Sequence, residues 1–244
     1  MSSNITLQQL LEAGCHFGHQ SRRWNPAMAP YIYTTRDNVH IFDLVKTKAG
    51  LDAAADYMSK LAAAGEQILF VGTKRQAKDF VTAAAKKANM PYVTERWLGG
   101  MLTNFDQIGK SIAKLKNLRQ KREAGELKKY TKKEQLLIDR EITKLERFLG
   151  GIENLSTKPA ALFVVDTHRE EVAVREAVKT GIPVIGMVDS NGDPRLVDYV
   201  IPINDDAVKS IELVTNSLAE AASVKATPPK SVKKPKKEIT NAKS

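Results

Sequence analysis

The sequence predicts an α/β domain on a doubly wound, flavodoxin-like parallel sheet, and three observations predict it. Short apolar runs alternate with amphipathic stretches along most of the chain, the order expected of successive β-α-β units. The runs QILFVGT, AALFVVD and PVIGMVD are continuously apolar rather than alternating, so helices are expected to cover both faces of the sheet. Gly65 and Gly181 each follow an amphipathic stretch, where C-terminal helix caps belong.

A short helix is expected over 6–13, followed by a basic, aromatic segment over 14–46. Strands are expected at 39–44, 67–73, 92–94, 160–166, 183–189 and 200–203. Helices are expected at 49–64, 75–88, 169–180 and 207–222, where apolar residues recur at helical spacing. The stretch 105–152 differs: it is strongly charged, lacks proline and divides at 123–130. Its second half places Ile138, Ile142, Leu145, Leu149 and Ile152 at spacings of 4, 3, 4 and 3, a coiled-coil seam. Thr131 and Glu134 form a capping box at its start, and Gly125 supplies a turn residue before it. Phe105, Ile108, Ile112, Leu115 and Leu118 make the facing stripe, so an antiparallel coiled-coil hairpin inserted into the α/β domain is expected. Lys114, Lys116, Lys121, Lys132, Lys133, Lys144 and Arg147 leave only a narrow apolar stripe, which favours projection over a pair lying flat on the sheet. The expected organisation is a discontinuous globular domain over 1–103 and 153–224, a hairpin over 104–152 and a disordered Lys- and Pro-rich tail over 225–244.

With 244 residues, 42% of them hydrophobic, the chain can bury a sizeable core. A formal charge of +10 and a pI near 9.5 favour an anionic partner, nucleic acid before a small metabolite. Cys15 is the only cysteine, which excludes an internal disulfide and fits a reducing, cytoplasmic setting. The first residues are too polar for a signal peptide, and no apolar run approaches the roughly 20 residues of a membrane span, so no membrane partner is expected.

Chemistry-bearing residues gather in three places. Between Glu12 and Asp37 there is no carboxylate, yet this stretch holds His16, His19, Arg22, Arg23 and Arg36 with Phe17, Trp24, Tyr31 and Tyr33. Guanidinium groups pair with phosphate and flat rings stack on unpaired bases, so the segment suits RNA; the alternative is a surface loop with the rings as packing anchors. The run RWLGGMLTN offers Arg96 and Trp97 beside a glycine pair and reads as a second RNA or protein contact, or as a hinge into the hairpin. The third place is the carboxyl ends of the strands, with Thr73, Lys74 and Arg75, then Asp166, Asp189, Asp205 and Asp206. Lys74 and Arg75 could hold a phosphate, but neither GxxxxGK[ST] nor GxGxxG is present, and helix capping accounts for the aspartates. His19, Asp189 and Asp205 could form a nitrogen-and-oxygen metal set, yet no paired CxxC accompanies them and no metal or cofactor is assigned. No nucleophile elbow is present, so no catalytic residue is assigned. A nucleotide- or sugar-phosphate-binding enzyme on the same fold is the alternative reading.

The motifs GCHFGHQSRRWNPAMAPYIY, NVHIFDLVKT, ILFVGTKRQA, RWLGGMLTN, LFVVDTHRE, IPVIGMVDSNGDP and VDYVIPINDDA, in that order over about residues 5–222, resemble the bacterial small-subunit ribosomal protein S-two family. The resemblance implies a doubly wound domain with a protruding coiled coil, seated between the head and body of the small subunit. It also implies a structural, noncatalytic role, with small-subunit ribosomal RNA and neighbouring ribosomal proteins as partners, recruitment of ribosomal protein S-one, and no small-molecule substrate. Carried onto this chain, the RNA-facing candidates are His16, His19, Arg22, Arg23, Trp24, Asn25, Lys74, Arg75, Arg96, Trp97 and Asn104.

Overall fold

The computed structural model describes residues 5–223, and the expected tail over 225–244 lies outside them. Helix α1 (Leu7–Glu12) is closed by a reciprocal capping box between Thr6 and Gln9. It leads into β1 (Phe17–Gln20), β2 (Ile32–Arg36) and β3 (Val39–Phe42), an antiparallel sheet in the order β1-β3-β2. The strand expected at 39–44 therefore belongs to a separate ribbon and not to the parallel sheet. The cause is local: Asp37 and Asn38 adopt φ of 49° and 61° in the two-residue turn between β2 and β3, a geometry that returns the chain as a hairpin. Asp43 then accepts a hydrogen bond from the Val45 amide at 3.0 Å and starts α2 (Leu44–Ala63) earlier than expected.

From there the chain alternates β4 (Ile68–Val71), α3 (Lys78–Ala88) and β5 (Tyr92–Val93), then the helices α4 (Phe105–Glu123) and α5 (Lys132–Leu149). It continues with β6 (Ala161–Val165), α6 (Glu171–Thr180), β7 (Val184–Val188), β8 (Tyr199–Pro202) and α7 (Val208–Ala222). The five later strands are all parallel, in the order β5-β4-β6-β7-β8. The strand order reverses between β4 and β6, the crevice where doubly wound sheets present their loops. Both faces are covered, as expected: along β4, Ile68 and Phe70 enter one core with Leu51, Met58 and Leu218, while Leu69 and Val71 enter the other with Val164 and Val184. Each fully buried large side chain contributes about 1.5–3 kcal/mol relative to exposure. Phe70 and Phe163 meet edge to face, with centroids 5.2 Å apart.

The charged stretch forms two helices, with the expected Thr131–Glu134 capping box at the start of the second. Ile108, Ile112, Leu115, Ile142 and Leu149 are buried and join the second sheet core. The helices pack on one another, and Lys114 pairs with Glu141 while Arg119 reaches Glu146 at 2.7 Å and Glu153 at 2.6 Å. Among the described residues, no helix is long and apolar enough to cross a membrane.

Candidate nucleic-acid interface

The antiparallel ribbon is fastened to the carboxyl ends of the parallel strands by β1. Gly18 allows the approach: a Cβ there would stand 3.0 Å from Ser190 Oγ and 3.2 Å from the His40 carbonyl oxygen. The His19 amide donates to Ser190 Oγ at 2.8 Å, and the Asn25 amide donates to the Ser190 carbonyl at 2.7 Å. Asn204 adds two bonds, from its amide to the Cys15 carbonyl and from Nδ2 to the Gly14 carbonyl, each at 3.1 Å.

Beneath this seam lies a buried charge cluster. Lys74 Nζ sits 2.7 Å from Asp205, 3.1 Å from Asp166 and 2.5 Å from Asp206. Burial alone would lower the Lys74 pKa, but Asp205 and Asp206 outweigh it and raise the value. His19 Nδ1 lies 2.9 Å from Asp189, whose hydrogen bond raises the histidine pKa, and its Nε2 lies 3.4 Å from Asp206. Asp205, almost wholly buried, is pushed up to about 8, first by burial and then by Asp166 and Asp189. Asp166 reaches the cluster with φ of 66°, a conformation aspartate tolerates better than most residues. His19 and Lys74 therefore point into the protein. Lys74 is engaged by three aspartates within the fold, in place of the outward-facing phosphate contact expected of it. His19 meets Asp189, the Asp205 amide donates to Asp189 at 3.3 Å, and Asp205 meets Lys74, so the trio His19, Asp189 and Asp205 belongs to this cluster.

The exposed basic residues are elsewhere on the ribbon. Arg22 and Arg23 occupy the exposed 3-10 turn Ser21–Arg23 and, among the described residues, pair with no carboxylate. Trp24 is 36% exposed, with its ring 4.9 Å from that of His40. Phe17 and Tyr33 are exposed too, and the half-buried His16 ring lies 4.0 Å from Phe17. Burial lowers the pKa of His16 and of His40. The Asn25 side chain accepts from the Ala27 amide at 3.0 Å and caps the following 3-10 helix, Pro26–Tyr31.

The run RWLGGMLTN is organised by a residue that sequence reading did not identify. The Glu176 carboxylate on α6 accepts from Trp97 Nε1 at 3.1 Å, from the Gly100 amide at 2.7 Å, from the Leu102 amide at 3.1 Å, and from the amide and hydroxyl of Thr103 at 3.2 and 3.1 Å. Burial works against its ionisation, but these donors prevail and its pKa falls. Trp97 is buried and this loop is pinned, so the stacking expected of Trp97 and the hinge reading both give way to an anchor. Arg75, Arg96 and Asn104 remain exposed.

Comparison with known proteins agrees with this architecture. The family model described as ribosomal protein S2 matches residues 10–224. A protein named small ribosomal subunit protein uS2 from Christiangramia forsetii is 52% identical over 221 residues, covering 91% of this chain and 74% of its own. Proteins of the same name from a Roseiflexus species and from Flavobacterium johnsoniae are 51% and 52% identical, covering 89% and 91% of this chain and 83% and 89% of their own. A buried doubly wound core, a basic ribbon fastened to its strand ends, and a match of this extent to both model and relatives converge on one assignment: the chain belongs to the ribosomal protein S2 family.

Proposed function

We propose that this chain is a structural, noncatalytic constituent of the small ribosomal subunit in the cytoplasm, and that its amino-terminal ribbon binds small-subunit ribosomal RNA. The observation that carries the reading is the placement of Arg22 and Arg23, exposed and free of carboxylates among the described residues, beside Trp24 on a ribbon held rigidly to the core. Arginines not already paired can form bidentate bonds to phosphate, and the fixed ribbon lowers the ordering cost of doing so. Arg75, Arg96 and Asn104 extend the set of exposed donors, while His16 and Asn25 support the ribbon's shape.

The α4–α5 pair serves as an arm for neighbouring ribosomal proteins, supported by Tyr130, Leu136 and Leu137, which are exposed there at 41%, 51% and 54%. Recruitment of ribosomal protein S-one follows from the family resemblance alone. The test is binding of the full chain to small-subunit ribosomal RNA across a salt series, with sedimentation of tagged protein through a sucrose gradient. The pair Arg22→Ala and Arg23→Ala should flatten the salt slope by about 0.7–0.9 for each phosphate contact removed. An unchanged slope together with unchanged incorporation into small subunits would take the ribbon out of the interface.

A further inference from the structure

A cavity of about 540 Å³ opens at the strand-order reversal, outside the carboxyl ends of β4 and β6, and neither the ribbon nor the charge cluster fills it. Its lining includes Thr73, Arg96, Trp97, Gly99, Arg169 and Glu170. The volume lies within the roughly 300–1,000 Å³ typical of small-molecule sites, larger than a lone phosphate needs. Arg96 comes from the loop after β5 and Arg169 from the loop after β6, and among the described residues neither has a carboxylate at ion-pair distance. Arg169 is held in place by donating Nε to Thr73 Oγ1 at 3.2 Å, which leaves its terminal nitrogens unpartnered among the described residues. The second acid of the lining, Glu95, is neutralised by Lys78 at 3.1 Å and Arg147 at 2.6 Å. Glu170 gives one oxygen to the amide and hydroxyl of Thr73, and its other oxygen has no partner among the described residues.

We propose that this crevice receives one unpaired nucleotide, its phosphate met by Arg96 and Arg169 and its base edge read by the free Glu170 oxygen. The chemistry is that of a nucleoside monophosphate. Guanidinium groups pair with its phosphate, and a carboxylate oxygen accepts from an exocyclic amino group, as on adenine, guanine or cytosine. Single-stranded RNA is bound in this way, with a base splayed out of its stack. An extruded nucleotide of the ribosomal RNA is one source and a free nucleotide the other; the first rests on the RNA-binding reading given above.

Gly99 provides a variant that adds a side chain to the crevice wall at a position without backbone strain. Its φ is not in the left-handed region, and a Cβ added there meets nothing within 4 Å. The full chain is titrated with AMP, with UMP and with inorganic phosphate while backbone amide resonances are followed by NMR. Affinity for small-subunit ribosomal RNA is measured for the native chain, Gly99→Phe and Arg96→Ala/Arg169→Ala. AMP should shift the amides around Gly99 and Val172 more strongly than UMP, whose base lacks the amino group, and more than phosphate. Both variants should abolish these shifts and weaken RNA binding by about tenfold, the loss expected when a hydrogen bond to a charged group is removed. AMP shifts without any change in RNA affinity would assign the crevice to free nucleotide. No AMP shift, with native RNA affinity in both variants, would overturn the proposal while leaving the ribbon reading intact. Failure of the native chain to bind RNA at all would instead strike the ribbon reading.

Discussion

Both tryptophans of the chain follow an arginine, at Arg23-Trp24 and Arg96-Trp97, and the two pairs meet opposite fates. Trp24 is 36% exposed against His40, on a ribbon whose arginines face solvent, whereas Trp97 is 8% exposed and gives its indole N–H to Glu176. The difference does not reside in the dipeptide. It comes from what lies across the fold: a carboxylate on α6, 76 residues beyond Gly100, collects the indole and the backbone donors of the second loop. Among the described residues, no such acceptor faces Trp24. The same side chains thus act as a fastening where a distant acid satisfies the polar edge, and as an exposed surface where none does.

The largest effect should separate the two tryptophans directly. Trp97→Ala removes a buried aromatic and should cost about 3–5 kcal/mol, while Trp24→Ala should cost less than about 1 kcal/mol of stability and weaken RNA binding instead. Urea unfolding with a parallel RNA titration checks both halves, and equal destabilisation by the two would erase the contrast. The next effect isolates the acceptor. Glu176→Gln turns an amide group toward backbone donors and removes the charge, and should cost about 2–3 kcal/mol. Stability unchanged by that substitution would mean that burial of Trp97, and not the carboxylate, holds the loop.

The parallel sheet was legible because its strands are continuous apolar runs, and QILFVGT and PVIGMVD announce themselves within a few residues. Of the ribbon only the strand at 39–44 is expected, although the signal for a hairpin is local: IYTTR and VHIF flank Asp37-Asn38, two β-rich runs separated by a two-residue turn. The charge cluster and Glu176 lay beyond local reading in a different sense. Lys74 and Asp205 are separated by 131 residues, and only the parallel strand order brings their loops to one end of the sheet. Charge count identified Lys74 as a cation, but only the fold showed that its partners are internal.

The smallest effect concerns how firmly the ribbon stays fastened as pH changes, since the cluster beneath it titrates while the Glu176 anchor does not near neutrality. Asp205 has its pKa raised from 3.8 to about 8 by burial and by neighbouring aspartates, and His19 has its value raised above 6.5 by Asp189. A group whose folded-state pKa is raised stabilises the fold most fully below its unfolded value, and that contribution is lost as pH climbs through the folded value. For Asp205 the window runs from about 3.8 to about 8, and for His19 it opens near 6.5. Both signs agree, so going from pH 6 to pH 8.5 should lower the thermal midpoint by about 2–4 °C, the response of a domain this size to roughly 1 kcal/mol. Hydrogen exchange at the His19 amide, bonded to Ser190 Oγ, should quicken before exchange at the Leu102 amide on Glu176. Asp205→Asn mimics the protonated acid and still offers Lys74 an acceptor, so it should keep the low-pH stability and lose most of the slope. A midpoint that rises over this range, or a slope unaltered in Asp205→Asn, would separate the cluster from the ribbon's attachment.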